Sequence, residues 1–265
     1  MKRVTRFLVL SAFGFVSVRA DSAQERGKRA IEDCVDAMGG SKFLSLDNVV
    51  ESGRAYSFYR ERLNGLTIAR ITRRFLNKVE DPSKDLAVLE RDDFGKKLDY
   101  GVLFQPDDAY EITFRGARPL TSDRFERYKR TTISDIFYIL RERLHEPGLI
   151  FESRGSDVWD NNPVEIVDIT DSQNQVITVY FHKTTKLPVR ETWVRRDAKD
   201  RNDEETIYMK YREVNGVQWP MTLQRSRNGE KIYEMFADEL QVNAPKISTQ
   251  MFDLPSGIKK LKPDQ

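Results

Sequence analysis

The 265-residue chain sets 44 Lys and Arg against 42 Asp and Glu. The two signs are interleaved, as in Arg60-Glu61-Arg62, Arg141-Glu142-Arg143 and Arg195-Arg196-Asp197, a pattern that argues for a solvated surface and against a nucleic-acid footprint. A single cysteine, Cys34, excludes an intramolecular disulfide, so stability has to come from packing.

At the N-terminus, Lys2, Arg3 and Arg6 precede an apolar run from Phe7 to Val18 that is too short to cross a bilayer as a stable span. Val18 and Ala20 supply the modest side chains a signal peptidase accepts, and Asp21 is the first acidic residue. Residues 1–20 therefore read as a cleavable secretory signal peptide, with residues 21–265 forming a single β domain. Losing Lys2, Arg3, Arg6 and Arg19 takes the formal charge from +2 to −2. Cys34 lies well inside the mature chain, not at the cleavage point, so no lipid anchor is expected.

A helix comes first in the mature chain. Ala30, Ile31, Cys34, Val35 and Met38 recur at helical spacing and Gly39-Gly40 supplies the stop. Cys34 on that apolar stripe reads as a core thiol, since a reactive cysteine needs an exposed electropositive setting.

The period then changes to two. Residues 50–59, 66–76, 86–90, 100–105 and 110–115 are aromatic or β-branched runs separated by Asn64-Gly65, Asp81-Pro82 and Pro106-Asp107-Asp108, and they read as an antiparallel meander. A helix is expected over 133–144, with Thr132 as cap, Asp135 answering it, and Ile133, Ile136, Phe137, Leu140 and Leu144 on one face. Pro147-Gly148 ends it. Strands follow over 149–153, 164–169, 175–182, 188–195, 205–212, 217–224 and 231–242, with hairpin turns at Asn215-Gly216 and Asn228-Gly229. Pro220 marks an edge or a bulge. About a dozen strands and two helices predict a mainly β fold, a single strongly curved antiparallel sheet or unclosed barrel with a helical lid; two sandwiched domains meeting near Pro147 is the alternative.

No spacing nominates a catalytic centre. The chain contains no GxSxG, GxGxxG, GxxxxGK, HExxH or CxxC, and its acidic clusters lack the alternating pattern of a calcium loop. His145 at a helix end and His182 at a strand end read as structural, and no metal or cofactor is expected. The aromatic and aliphatic strand interiors either fill the core or line a pocket between sheet and lid; the residues concerned are Tyr56, Phe58, Ile71, Phe75, Phe104, Ile112 and Phe114 from the strands with Ile136, Phe137 and Leu140 from the helix. Burial of a lipid tail in such a pocket would yield about 0.8 kcal/mol per methylene without any charged group.

The stretch Tyr211-Arg212-Glu213-Val214-Asn215-Gly216-Val217-Gln218-Trp219-Pro220, then Asn228-Gly229, Val242-Asn243, Ser248, Phe252, Leu254 and Pro255, resembles the closing hairpins of the LolA/LolB-like lipoprotein-sorting proteins. Met38-Gly39-Gly40 and Val50-Glu51-Ser52-Gly53 resemble that family's first helix and strand. The resemblance implies an unclosed barrel of about eleven strands, helices forming a lid, and a hydrophobic cavity for lipoprotein acyl chains or another lipid. A soluble, non-enzymatic periplasmic carrier serving outer-membrane lipoprotein sorting is the leading expectation, with inner- and outer-membrane sorting proteins as partners. An envelope scaffold that docks a partner at a sheet edge near Pro220, and a hydrolase with an unrecognised site, are the alternatives.

Overall fold

The computed structural model describes residues 21–76, 79–196 and 200–263, so the expected signal peptide lies outside the described residues. The first half of the chain gives β1 (Asn48–Tyr59), β2 (Arg62–Phe75), β3 (Val88–Phe94), β4 (Tyr100–Phe104), β5 (Ala109–Thr113) and β6 (Gly116–Pro119). The second gives β7 (Ile150–Trp159), β8 (Asn162–Thr170), β9 (Val176–His182), β10 (Pro188–Arg196), β11 (Arg201–Val214), β12 (Val217–Arg227) and β13 (Glu230–Val242). All thirteen form one antiparallel sheet in the order β6-β5-β4-β3-β2-β1-β13-β12-β11-β10-β9-β8-β7. Two meanders are thus joined edge to edge by the β1–β13 ladder, from Val49↔Val242 to Ser57↔Tyr233. β6 and β7 stay unpaired with each other, and the barrel is open.

The open sheet is as expected, with thirteen strands in place of about a dozen. The added strand is β6, whose four residues are too few for alternation to reveal. β7 also continues to Trp159 instead of stopping near Ser153. Its polar stretch bends through a bulge at Gly155, φ +94°, where the register with β8 shifts.

Asn215-Gly216 and Asn228-Gly229 turn as expected, each pair at positive φ. Asn64-Gly65 does not. The first hairpin turns at Arg60-Glu61, φ +49° and +61°, and the register passes from Ser57↔Gly65 to Phe58↔Leu63, leaving Asn64 as the extra residue of a bulge. Moving the turn outward adds the pairs Phe58↔Leu63 and Tyr59↔Arg62, which offsets two left-handed non-glycine residues. Pro220 lies on an interior strand and not at a sheet edge. It faces Tyr211 of β11, while the β12–β13 ladder begins only at Thr222, so at this point the strand has one partner.

Helix α1 (Ala23–Met38) starts with a complete capping box, Ser22 with Glu25, and ends at Gly39, φ +126°. It packs Ile31, Cys34, Val35 and Met38 on the concave face of the sheet against Val167, Ile169, Val179 and Phe181. Burial pushes the Cys34 thiol far up, which keeps it protonated and inert, as its place on the stripe implied. A short helix α2 (Ser41–Leu44) follows.

The mid-chain helix differs from expectation. α3 runs from Ser122 to Ser134, and the backbone then goes extended at Asp135, ψ 131°. α4 (Ile136–Tyr138) resumes at once and winds into a π-helical turn over Ile139–Arg143. Asp135 is itself the cap, accepting from the Phe137 and Tyr138 amides at 2.9 and 3.4 Å, and Thr132 belongs to the preceding helix. The sequence from Ser122 to Lys129 is so charged that the small stripe of Phe125 and Tyr128 does not stand out from it.

On the convex face, the C-terminal segment lays Ile247 and Phe252 over Val50, Leu89 and Leu103. Its end reaches the edge strand, where Ala117 donates to the Lys259 carbonyl and accepts from the Leu261 amide.

At the β1 bulge, a Cβ on Gly53 would lie 1.9 Å from the Phe236 carbonyl oxygen. Gly53→Ala is expected to cost more than about 2 kcal/mol, because the collision is with backbone in the central ladder. A chemical denaturation midpoint within error of the parent would refute that account.

Candidate functional site

The break at Asp135 lets one chain segment cover two parts of the concave face. α3 stacks Tyr128 on Phe104 of β4, with ring centroids 3.6 Å apart, while Phe125 joins the cluster around Val102 and Ala109. α4 sets Phe137 against Tyr208 of β11 and Trp219 of β12, at 4.9 and 5.0 Å. Tyr138 anchors the same turn by accepting from the Ala87 amide and donating to the Pro82 carbonyl, both at 2.9 Å. Between these attachments the lid and the sheet frame a partly open cavity of about 370 Å³.

Of the residues expected to line a pocket, Ile71, Phe75, Phe104 and Phe137 face this cavity. Ile136 and Leu140 are fully buried in the core beside it. Tyr56 and Phe58 lie elsewhere, Tyr56 edge-on to Phe236 and Phe58 beneath the Lys231 ammonium. Ile112 packs against the cluster under the C-terminal segment. Phe114, in the turn between β5 and β6, is 89% exposed.

Sequence reasoning missed the cavity's charge. Five carboxylates and five guanidinium groups face it alongside the apolar side chains. At the centre, Arg73 of β2 reaches Glu51 of β1 at 3.0 Å and donates through Nε to Glu90 of β3. Burial works against the Arg73 cation, but Glu90 and Glu51 outweigh it and hold the guanidinium protonated. Glu51 is pushed up by burial and pulled back by Arg73. Burial also raises Asp135, with Arg73 and Arg225 opposing.

A signal for this network exists once register is known. Ile71, Arg73 and Phe75 share one face of β2, and Val88, Glu90, Asp92 and Phe94 share one face of β3. A charge at an inward position of an otherwise apolar face is the mark of a polar group inside.

Two of the charged triplets also turn inward. Arg143 is 1% exposed and Arg195 3%, so these runs are not purely solvated surface. The histidines do little: His145 is exposed on the turn after the π-helical segment, and His182 Nδ1 accepts from the Thr184 and Thr185 amides at 3.2 Å, closing its turn.

No model of a known protein family matches the sequence, nor does any curated protein. Solved structures do. A DUF1329 family protein from Desulfovibrio piger is similar over 88% of this chain and 98% of its own, at 14% identity and a TM-score of 0.61. A domain provisionally assigned as an outer membrane lipoprotein-sorting protein, from Vibrio parahaemolyticus, covers 87% and 97% at 11% identity and a TM-score of 0.56. A LolA superfamily protein from Nitrosomonas europaea covers 88% and 98% at 9% identity and a TM-score of 0.50. The chain has the LolA-like fold. This LolA-like sheet carries thirteen strands, two more than the sequence resemblance implied, and its cavity is polar as well as apolar.

Proposed function

We propose that the protein is a non-enzymatic carrier, free in the periplasm after removal of residues 1–20, that shields an acyl chain of a lipoprotein or another lipid between the inner and outer membranes. The observation that carries this reading is the lidded cavity of about 370 Å³, at the small end of the range for ligand sites and lined by Phe75, Phe104, Phe137, Trp219 and Leu223 among others. The likeness to an outer membrane lipoprotein-sorting domain and a LolA superfamily protein supports it. So does the attachment of the lid by small aromatic contacts on either side, which a hinge at Asp135 could release.

Native mass spectrometry of the mature protein offered long-chain lipids tests the reading. A lipid-bound mass is expected, and a persistently bare protein would remove it. Leu223 faces the cavity from β12, so Leu223→Trp should fill the tail space and weaken lipid uptake at least about tenfold with the melting temperature nearly unchanged. Uptake at the parent level would show that the tail goes elsewhere.

A further inference from the structure

Three polar atoms on residues facing the cavity are shielded from solvent and have no hydrogen-bond partner among the described residues: Asp92 Oδ1, from β3, Arg225 Nε, from β12, and the Tyr128 hydroxyl, from α3. The first two are an acceptor and a donor on side chains of opposite charge. Arg73 differs, being held between two carboxylates. A shielded acceptor and a shielded donor left unpaired each cost free energy, and such pairs persist where something other than the protein completes them. β3 and β12 are separated in the sheet by β2, β1 and β13, and both side chains line the same cavity, with the Arg225 charge opposing the rise in Asp92's pKa.

We infer that the cavity seats the head group of an amphiphile, and not hydrocarbon alone: an uncharged head offering one hydrogen-bond acceptor to Arg225 and one donor to Asp92, as a hydroxylated acyl amide does. This rests on the carrier reading and specifies its ligand. The charge pattern selects a neutral head. An anion would meet Glu90 and the Asp92 carboxyl, a cation would meet Arg73 and Arg225, and the lining carries acidic and basic side chains in equal number, five of each. The Asp92 carboxyl shows how poorly the site tolerates one more charge: burial pushes it well up, Glu90 adds to the rise, and Arg73 and Arg225 only partly oppose it.

The test compares heads on one hexadecyl chain, each below its micelle concentration, with Trp219 fluorescence in the cavity wall and native mass spectrometry as readouts. The probes are N-(2-hydroxyethyl)hexadecanamide, methyl hexadecanoate, hexadecyl phosphate and hexadecylamine. The hydroxyethyl amide is expected to bind at least about tenfold tighter than the other three. Asp92→Leu should erase that preference while leaving the methyl ester's affinity intact, and Arg225→Lys, which keeps the charge and removes Nε, should weaken the amide and the ester alike. Because neither group has a protein partner, Asp92→Leu should melt no lower than the parent; a purely structural Asp92 would make it melt lower, and that result overturns the assignment. Equal affinity for amide and ester, as when water completes the two groups, overturns the inference and leaves the carrier reading standing. Tightest binding of either charged probe does the same. Failure of all four probes to bind removes both.

Discussion

Arg143→Met is expected to lower the melting temperature by roughly 10 °C. The guanidinium is 1% exposed and fully engaged. Nε and Nη2 take both oxygens of Glu146 at 2.6 and 3.2 Å, Nη2 reaches Asp171 at 3.2 Å, and Nη1 donates to the Ile133 carbonyl at 2.6 Å. These contacts tie the π-helical turn to the end of α3 and to the loop after β8. Methionine of similar length keeps the packing but leaves Glu146 and Asp171, both largely buried, with no cation to balance them. Breaking one partner of such a buried pair costs about 3–5 kcal/mol, far more than the pair's net worth, because the uncompensated charges remain. Replacing Glu146 with Gln and Asp171 with Asn in the same chain should therefore recover much of the loss. If Arg143→Met melts within about 2 °C of the parent, the charge cluster is hydrated and the account fails.

The second large effect is on pH. Glu191 of β10 is 2% exposed, and burial, then repulsion from Asp135, push its carboxyl up to about 8. It accepts from the Ile136 amide at 2.9 Å, facing Asp135, Tyr208 and Thr206 at the break between α3 and α4. Burial raises Glu142 in the same segment to about 7, opposed by Arg141, and burial raises Glu51, Asp92 and Asp135 as well. A carboxyl with a raised folded pKa holds a proton that the unfolded chain releases. Its penalty is absent below the unfolded pKa near 4.5 and grows until pH exceeds the folded value, so stability falls as pH rises from about 5 to about 9. A melting temperature at least about 5 °C lower at pH 9 than at pH 6 is expected, with Glu191→Gln flattening the profile. A profile that rises across that window would show these carboxyls ionised in the fold. Asp81, held down to about 2 by hydrogen bonds from Lys84 and Ser83, acts in the opposite sense only under more acidic conditions.

Much of the architecture was legible from local signals. The glycine stop at Gly39 and the Asn-Gly turns at 215 and 228 depend on one or two residues and their backbone, and each behaves as its chemistry requires. The charged interior was not legible, because the meaning of Arg73 or Glu90 changes with strand register. Shifted by one residue, Arg73 would point to solvent as Arg70 and Arg74 suggest to a reader of the linear string. The first hairpin failed for the same reason: Asn64-Gly65 is an excellent turn in isolation, but the longer ladder decides. The lid was half seen, since Ile136, Phe137 and Leu140 announce a buried face while Ser122 to Lys129 hides its few aromatics among charges. Residues 141–143 were misleading because alternating charge reads as solvated until tertiary partners such as Asp171 come into view.

The C-terminal strap over Ala117 has a consequence for association between molecules. An open sheet ends in two rows of unsatisfied amides and carbonyls, each a template on which a neighbouring copy's strand could dock and start a fibril. At β6 the strap occupies that template with the chain's own Lys259 and Leu261. At the other end, β7 is bent by the Gly155 bulge, so a straight foreign strand meets a kinked partner. The sheet thus stays open between β6 and β7 while each of its end strands is made a poor template for a foreign strand.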